Sequence, residues 1–211
     1  MSSPYRYIFY TLPLVVIAVG VSMLWVDRPL AIWMSSIYHP LEYGAFNHHI
    51  ASLLTQLTYC LMLVCFLWYF LLRLNHRKGH FAQALWLFNE SIAFVYFIKM
   101  TLQFAFGRYI PRYPEKSTLL FVHNPHLYGF HWFHLGSFPS GHMALLVAGL
   151  TAICLYYRQF LIPSMVLTLM LVMALLLLNY HFLSDVIAGA YVGFTVTMAL
   201  YYLTTLEKQG E

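Results

Sequence analysis

Two short strings in this 211-residue chain carry histidine, serine, glycine and aspartate at spacings that could move a phosphoryl group. The first is Phe138-Pro139-Ser140-Gly141-His142. Pro139 and Ser140 suit the start of a helix, Gly141 lets a ligand approach the backbone, and the free amides of a helix N-terminus attract an anion. His142 then stands on the first turn beside that anion, where an imidazole can give a proton to a leaving oxygen. The second string is His181-Phe182-Leu183-Ser184-Asp185. A His and an Asp four apart share a helix face. The carboxylate can fix the ring tautomer and leave the other nitrogen's lone pair free to attack. His142, His181 and Asp185 are therefore the catalytic candidates. The plainer alternatives are a serine-capped helix with an incidental histidine, and a structural His–Asp pair that satisfies itself.

Cations for an anionic substrate come from Lys99, Arg108 and Arg112. Arginine grips phosphoryl oxygens in bidentate fashion and lysine acts as a point charge. With Ser140 and Gly141 they form the substrate-binding candidates. Lys99 reads equally well as an interface anchor that snorkels outward. His48, His49, His123 and His126 lack a convincing metal-ligand spacing, so neither metal nor cofactor is expected.

Positioning these residues is a matter for membrane helices. Of the chain, 61% is hydrophobic and 9% charged, against about 25% charged in an average soluble domain. The apolar residues fall in blocks that a water-soluble core could not bury. Eleven Lys+Arg against seven Asp+Glu, scattered along the chain, exclude a nucleic-acid surface, which needs clustered cations. Cys60, Cys65 and Cys154 all lie inside apolar blocks and read as small apolar residues rather than a disulfide framework.

A crossing helix needs about 20 mostly apolar residues. The expected architecture is all-α, a single membrane domain over residues 1–211 with six transmembrane helices near 8–26, 50–72, 81–106, 140–157, 160–180 and 186–206. A cytoplasmic N-terminus puts Arg73, Arg77, Lys78 and Arg158 inside, as positive-inside topology requires. The strings above and the loop Gly107–Pro139 then face the extracytoplasmic side of a plasma membrane, such as a bacterial inner membrane. That loop is rich in Tyr, Phe, Trp and His, which suits either the headgroup layer or a lipid-headgroup pocket. Gly189 and Gly193 form a small-xxx-small spacing that lets another helix approach closely.

Together these residues resemble the type 2 phosphatidic acid phosphatase superfamily, membrane lipid phosphatases related to vanadium haloperoxidases. The resemblance covers roughly residues 50–205. Pro139-Ser140-Gly141-His142 matches that family's second motif in full. His181 and Asp185 match the end of its third, and Asp185-Val186-Ile187-Ala188-Gly189 continues it. Three of the family's cations are replaced: Gln103 stands for a lysine, Ile110 for an arginine before Pro111, and Leu175 for the third-motif arginine. Lys99 lies one turn before Gln103 and Arg112 two residues past Ile110. Sphingomyelin-synthase-like transferases, which resemble this family, likewise keep two histidines and an Asp without the whole cradle.

The resemblance implies a lipid phosphatase acting through a phosphohistidine on His181, with Asp185 orienting it and His142 protonating the leaving alcohol. The expected partners are a lipid phosphate substrate and membrane lipids, with no nucleic acid. The alternatives are a lipid phosphotransferase, a phosphodiester-acting relative, an intramembrane serine protease using Ser140 and His181, and a non-catalytic lipid-binding protein. Neither the particular lipid nor the oligomeric state is legible.

Overall fold

A computed structural model of the protein describes residues 4–37, 53, 56, 60, 63–72, 79–111 and 119–210. The long elements among them are all helical. They are α1 (Pro4–Val21), a π-helical turn (Ser22–Val26), α2 (Asp27–Ile37), α3 (Leu63–Leu72) and α4 (His80–Phe106). After these come α5 (Leu120–His123), α6 (Gly141–Tyr156), α7 (Leu161–Leu177) and α8 (Leu183–Gly210).

The expectation of six spans is corrected to four. Among the described residues, Phe9–Ile37, His80–Phe106, Arg158–Leu177 and Leu183–Leu206 are long and apolar enough to cross a membrane. The stretch expected at 140–157 forms α6, which has 16 residues. At 1.5 Å per residue that is about 24 Å, short of a hydrocarbon core about 30 Å thick. Ser140 caps its start, and Tyr157, at φ −130° and ψ 78°, ends it. The span expected at 50–72 lies mostly outside the described residues, and its described stretch, α3, is shorter still. The first span is longer than expected, because the chain beyond Val26 continues helical through Asp27 to Ile37 instead of entering a loop.

The core is a three-helix seam. The end of α4 meets the starts of α6 and α8, and α6 and α8 run parallel in a one-turn register. A β-carbon on Gly189 would stand 2.4 Å from the carbonyl oxygen of Ser140, and one on Gly193 would stand 2.2 Å from that of Ala144. One turn further on, the hydroxyl of Thr197 donates to the carbonyl of Ala148 at 3.4 Å. Glycine at both places lets two backbones touch. Ile92 and Val95 of α4 fill the remaining side against Ala144 and Ala148. By contrast Leu161, Ile162, Met165, Val166, Leu169 and Met170 of α7 are exposed, the composition of a face turned toward acyl chains.

The loop after α4 folds back on its end. Gly107 closes the helix in the left-handed region at φ 56°, where a side chain would also strike the carbonyl of His131. Carbonyls at the end of α4 accept from loop amides: Gln103 from Gly136 as well as from the capping amide of Gly107, Ala105 from Phe133 and Phe106 from His131. This fastens the segment leading to Pro139 and Ser140 onto the helix that carries Lys99.

Candidate active site

His142 and His181 arrive on different elements and meet, their ring centroids 5.9 Å apart at an interplanar angle of 66°. His142 is the second residue of α6. His181 is not on a helix face, as the i,i+4 spacing suggests, but in the turn before α8, which begins at Leu183. Its amide reaches the carbonyl of Leu175 at 3.4 Å, tying the turn to the end of α7. The i,i+4 proximity survives because Asp185 lies in the first turn of α8 and reaches back, its Oδ2 3.5 Å from His181 Nδ1. That distance is at the edge of hydrogen-bond reach, as catalytic contacts without substrate often are.

Asp185 is fully buried and held from every side. Its Oδ2 accepts from the amide of Phe182 and from the hydroxyl of Ser137, each at 3.2 Å. Its Oδ1 accepts from Arg108 Nη1 at 2.6 Å. The contact with Phe182 is one half of a capping box, in which the third helical residue satisfies the amide of the cap. The main-chain carbonyl of Asp185 accepts from the amide of Ser140 at 2.9 Å, joining the two strings directly.

At the start of α6 the hydroxyl of Ser140 caps the helix by accepting from the amide of Met143 at 3.5 Å. The first-turn amides of α6 lie at this end, outside the i to i−4 ladder of the helix. The half-buried side chain of Lys99 lies over Gly141, its Nζ 3.1 Å from where a β-carbon on Gly141 would stand. Lys99 thus reaches this end from one turn earlier than Gln103. Gln103 itself is buried and donates from Nε2 to the carbonyl of Pro139 at 3.0 Å. Leu175 packs with Met143 and Val186 in an apolar cluster.

Arg108 is engaged in a way the spacing did not foretell. Wholly buried, it donates from Nη1 to Asp185 and to Ser184 Oγ, and from Nη2 to Asp27 Oδ2 at 2.8 Å. Burial works to lower its pKa, but the charges of Asp185 and Asp27 more than offset this and hold it above the ordinary arginine value. Its Nε, also buried, has no hydrogen-bond partner. Arg112, the other arginine candidate, lies outside the described residues.

Sequence reasoning missed Asp27, Tyr128, Ser137, Tyr180 and Ser184. Asp27 binds Ser184 twice, accepting from its amide at 3.1 Å and from its hydroxyl at 2.5 Å. The signal for it was present: a lone carboxylate ending an uncharged run, and an ionisable residue within a span has a function by default. Tyr180 had no such signal. Its ring stands 5.9 Å from each histidine ring, and burial pushes its phenol pKa up, so it stays protonated. Tyr128 lies between Arg28 and Arg108, whose guanidinium carbons are 4.1 and 5.1 Å from its ring centre, and its hydroxyl donates to the carbonyl of Met23 in the π turn.

The stretch of chain that carries most of this site matches a known family. The model of the PAP2 superfamily matches residues 84–208, more than half of the chain. The chain belongs to the PAP2 superfamily. Membership supports a hydrolase or phosphotransferase type of activity in general and a lipid-related substrate. The PAP2 stretch takes in most of α4 and α8 and all of α6 and α7, and so both histidines, Asp185, Lys99 and Arg108, whereas Asp27 precedes it. Comparison with curated proteins and with solved structures found no match.

Proposed function

We propose that this PAP2 protein is an integral-membrane phosphatase or phosphotransferase that acts on a lipid phosphate at the extracytoplasmic face, from a single membrane domain. The observation that carries this reading is the pairing of His142 and His181 with centroids 5.9 Å apart. Reacting atoms must come within about 3–3.5 Å of each other, and rings this close can both reach one phosphoryl group, one at phosphorus and the other at its leaving oxygen.

In this scheme Asp185 faces Nδ1 of His181, and Nε2 attacks phosphorus. The P–N bond forms as the P–O bond to the lipid alcohol breaks, and His142 gives its proton to the departing oxygen. Water, or an acceptor hydroxyl in a transferase, then passes a proton to His142 and adds to phosphorus while the P–N bond breaks. The N-terminal end of α6 at Gly141 and the ammonium of Lys99 hold the non-bridging oxygens. Arg108 serves by fixing Asp185. Ser140 serves by capping α6 and by bonding to the Asp185 carbonyl.

The test is purified full-length protein and its His181→Ala variant, assayed on lipid phosphates radiolabelled at phosphorus. The expected result is turnover by the wild type, together with an acid-labile, alkali-stable label on the protein that His181→Ala abolishes. Turnover unchanged in His181→Ala rejects the scheme. Absence of both turnover and label on every lipid favours a non-catalytic lipid-binding protein.

A further inference from the structure

The cation nearest Asp185 is already neutralised within the protein. Arg108 bonds two carboxylates, Asp185 at 2.6 Å and Asp27 at 2.8 Å. The three side chains are essentially inaccessible. Their formal charges sum to one negative. Asp27 comes from α2, directly after the π turn Ser22–Val26, and such turns commonly mark functional sites. Its helix lies outside the stretch matched to the PAP2 superfamily.

Among the described residues, the other positions near the start of α6 add little charge. Gln103 is occupied with the Pro139 carbonyl, and Leu175 belongs to an apolar cluster. Arg28 stacks on the face of Tyr128 and is itself exposed. Among the described residues, Lys99 is the cation that overlies the start of α6 and has no carboxylate partner. To it the helix N-terminus adds roughly half a positive charge. Once His142 has given its proton to the leaving oxygen, this complement matches one negative charge. A phosphomonoester carries about −1.5 to −2 near pH 7, and its second charge would face the net-negative cluster behind His181. A phosphodiester carries a single charge.

We propose that Asp27 acts as a counter-charge to Arg108 and thereby fits this site to a singly charged lipid phosphodiester rather than to a dianionic monoester. Asp27 is then a positioning residue that sets substrate class through Arg108. The inference rests on the phosphoryl-transfer reading above. With a diester, Nε2 of His181 bonds to phosphorus as one ester oxygen leaves and takes the proton of His142. The phosphohistidine keeps its second ester group. An acceptor hydroxyl then loses its proton to His142, bonds to phosphorus and releases His181.

The experiment measures kcat/KM of the full-length protein in mixed micelles on phosphatidate, a monoester, and on phosphatidylglycerol and phosphatidylethanolamine of the same acyl chains, both diesters. The wild type is expected to prefer at least one diester over phosphatidate by tenfold or more. Asp27→Asn, which releases Arg108 from one carboxylate, is expected to narrow that ratio at least fivefold by raising monoester turnover. Should Asp27→Asn fail to fold, Gln103→Lys supplies a second cation one turn from Lys99 and is expected to move the ratio the same way. A wild type that prefers phosphatidate overturns this inference and leaves the phosphoryl-transfer reading standing. So does a folded Asp27→Asn variant, or in its place Gln103→Lys, with an unchanged ratio. No turnover of any lipid and no label on His181 removes both.

Discussion

The backbone of Gly189 lies against the carbonyl oxygen of Ser140, so close that a β-carbon there would stand 2.4 Å away. This contact sets the distance between the two histidines, because Ser140 begins the helix carrying His142 and Gly189 lies one turn beyond Asp185. The obstacle is backbone and cannot swing aside. Gly189→Val is therefore expected to push α8 from α6 and reduce turnover at least 100-fold, since a misplacement of about 1 Å can cost that much. Gly20→Ala, with nothing within 4 Å of its new methyl group, is the matched control and should retain activity. Equal losses in both would disconnect helix approach from catalysis.

His142 is assigned a proton rather than a bond to phosphorus, and that assignment predicts a dependence on the leaving group. General acid catalysis contributes typically 100- to 10,000-fold, so His142→Ala should lose about that factor on lipid alcohols. On a p-nitrophenyl ester, whose leaving group needs little protonation, the loss in the phosphorylation step should be under about tenfold. Single-turnover kinetics on both substrates decide it. A uniform loss would give His142 a binding role instead.

Arg108 is buried with two carboxylates, and breaking a buried ion pair by removing one partner costs about 3–5 kcal/mol. Arg108→Leu leaves Asp27 and Asp185 facing each other and is expected to lower stability by about that amount, or to prevent folding. Pairing Arg108→Leu with Asp27→Asn relieves part of the repulsion and should recover some stability without restoring activity. Thermal unfolding in one detergent, combined with turnover, tests both parts. Recovery of full activity in the double variant would show that Arg108 has no part in holding Asp185.

Tyr128 offers a pH signature. Burial, partly offset by Arg108, pushes its phenol from the ordinary 10 to about 12. The folded protein then binds more protons than the unfolded chain between those values. The resulting stabilisation is complete below pH 10 and is lost as the pH rises through 12. Wild-type thermal stability should decline across this alkaline window, and Tyr128→Phe should remove part of that decline. It should also lower stability near neutrality, because the hydrogen bond to the Met23 carbonyl is lost. An identical alkaline profile in Tyr128→Phe would refute the assignment.

The sequence by itself determined the helical, membrane-embedded class and the two strings that meet. Long uncharged runs have nowhere else to go, and Ser140 and Asp185 carry their helix-start chemistry in their own side chains and nearest neighbours. It overstated the spans, because hydropathy counts apolar residues without seeing where Ser140 and Tyr157 stop a helix. It also misplaced His181 on a helix face, since i,i+4 spacing cannot distinguish a helical turn from the turn that precedes one. Only the tertiary structure decided how Arg108 is used. Asp27 is 81 residues away in the chain, and no local spacing records that a carboxylate from α2 will neutralise it. A residue type limits the charge a side chain can carry, but the groups packed around it decide whether that charge remains available to a substrate.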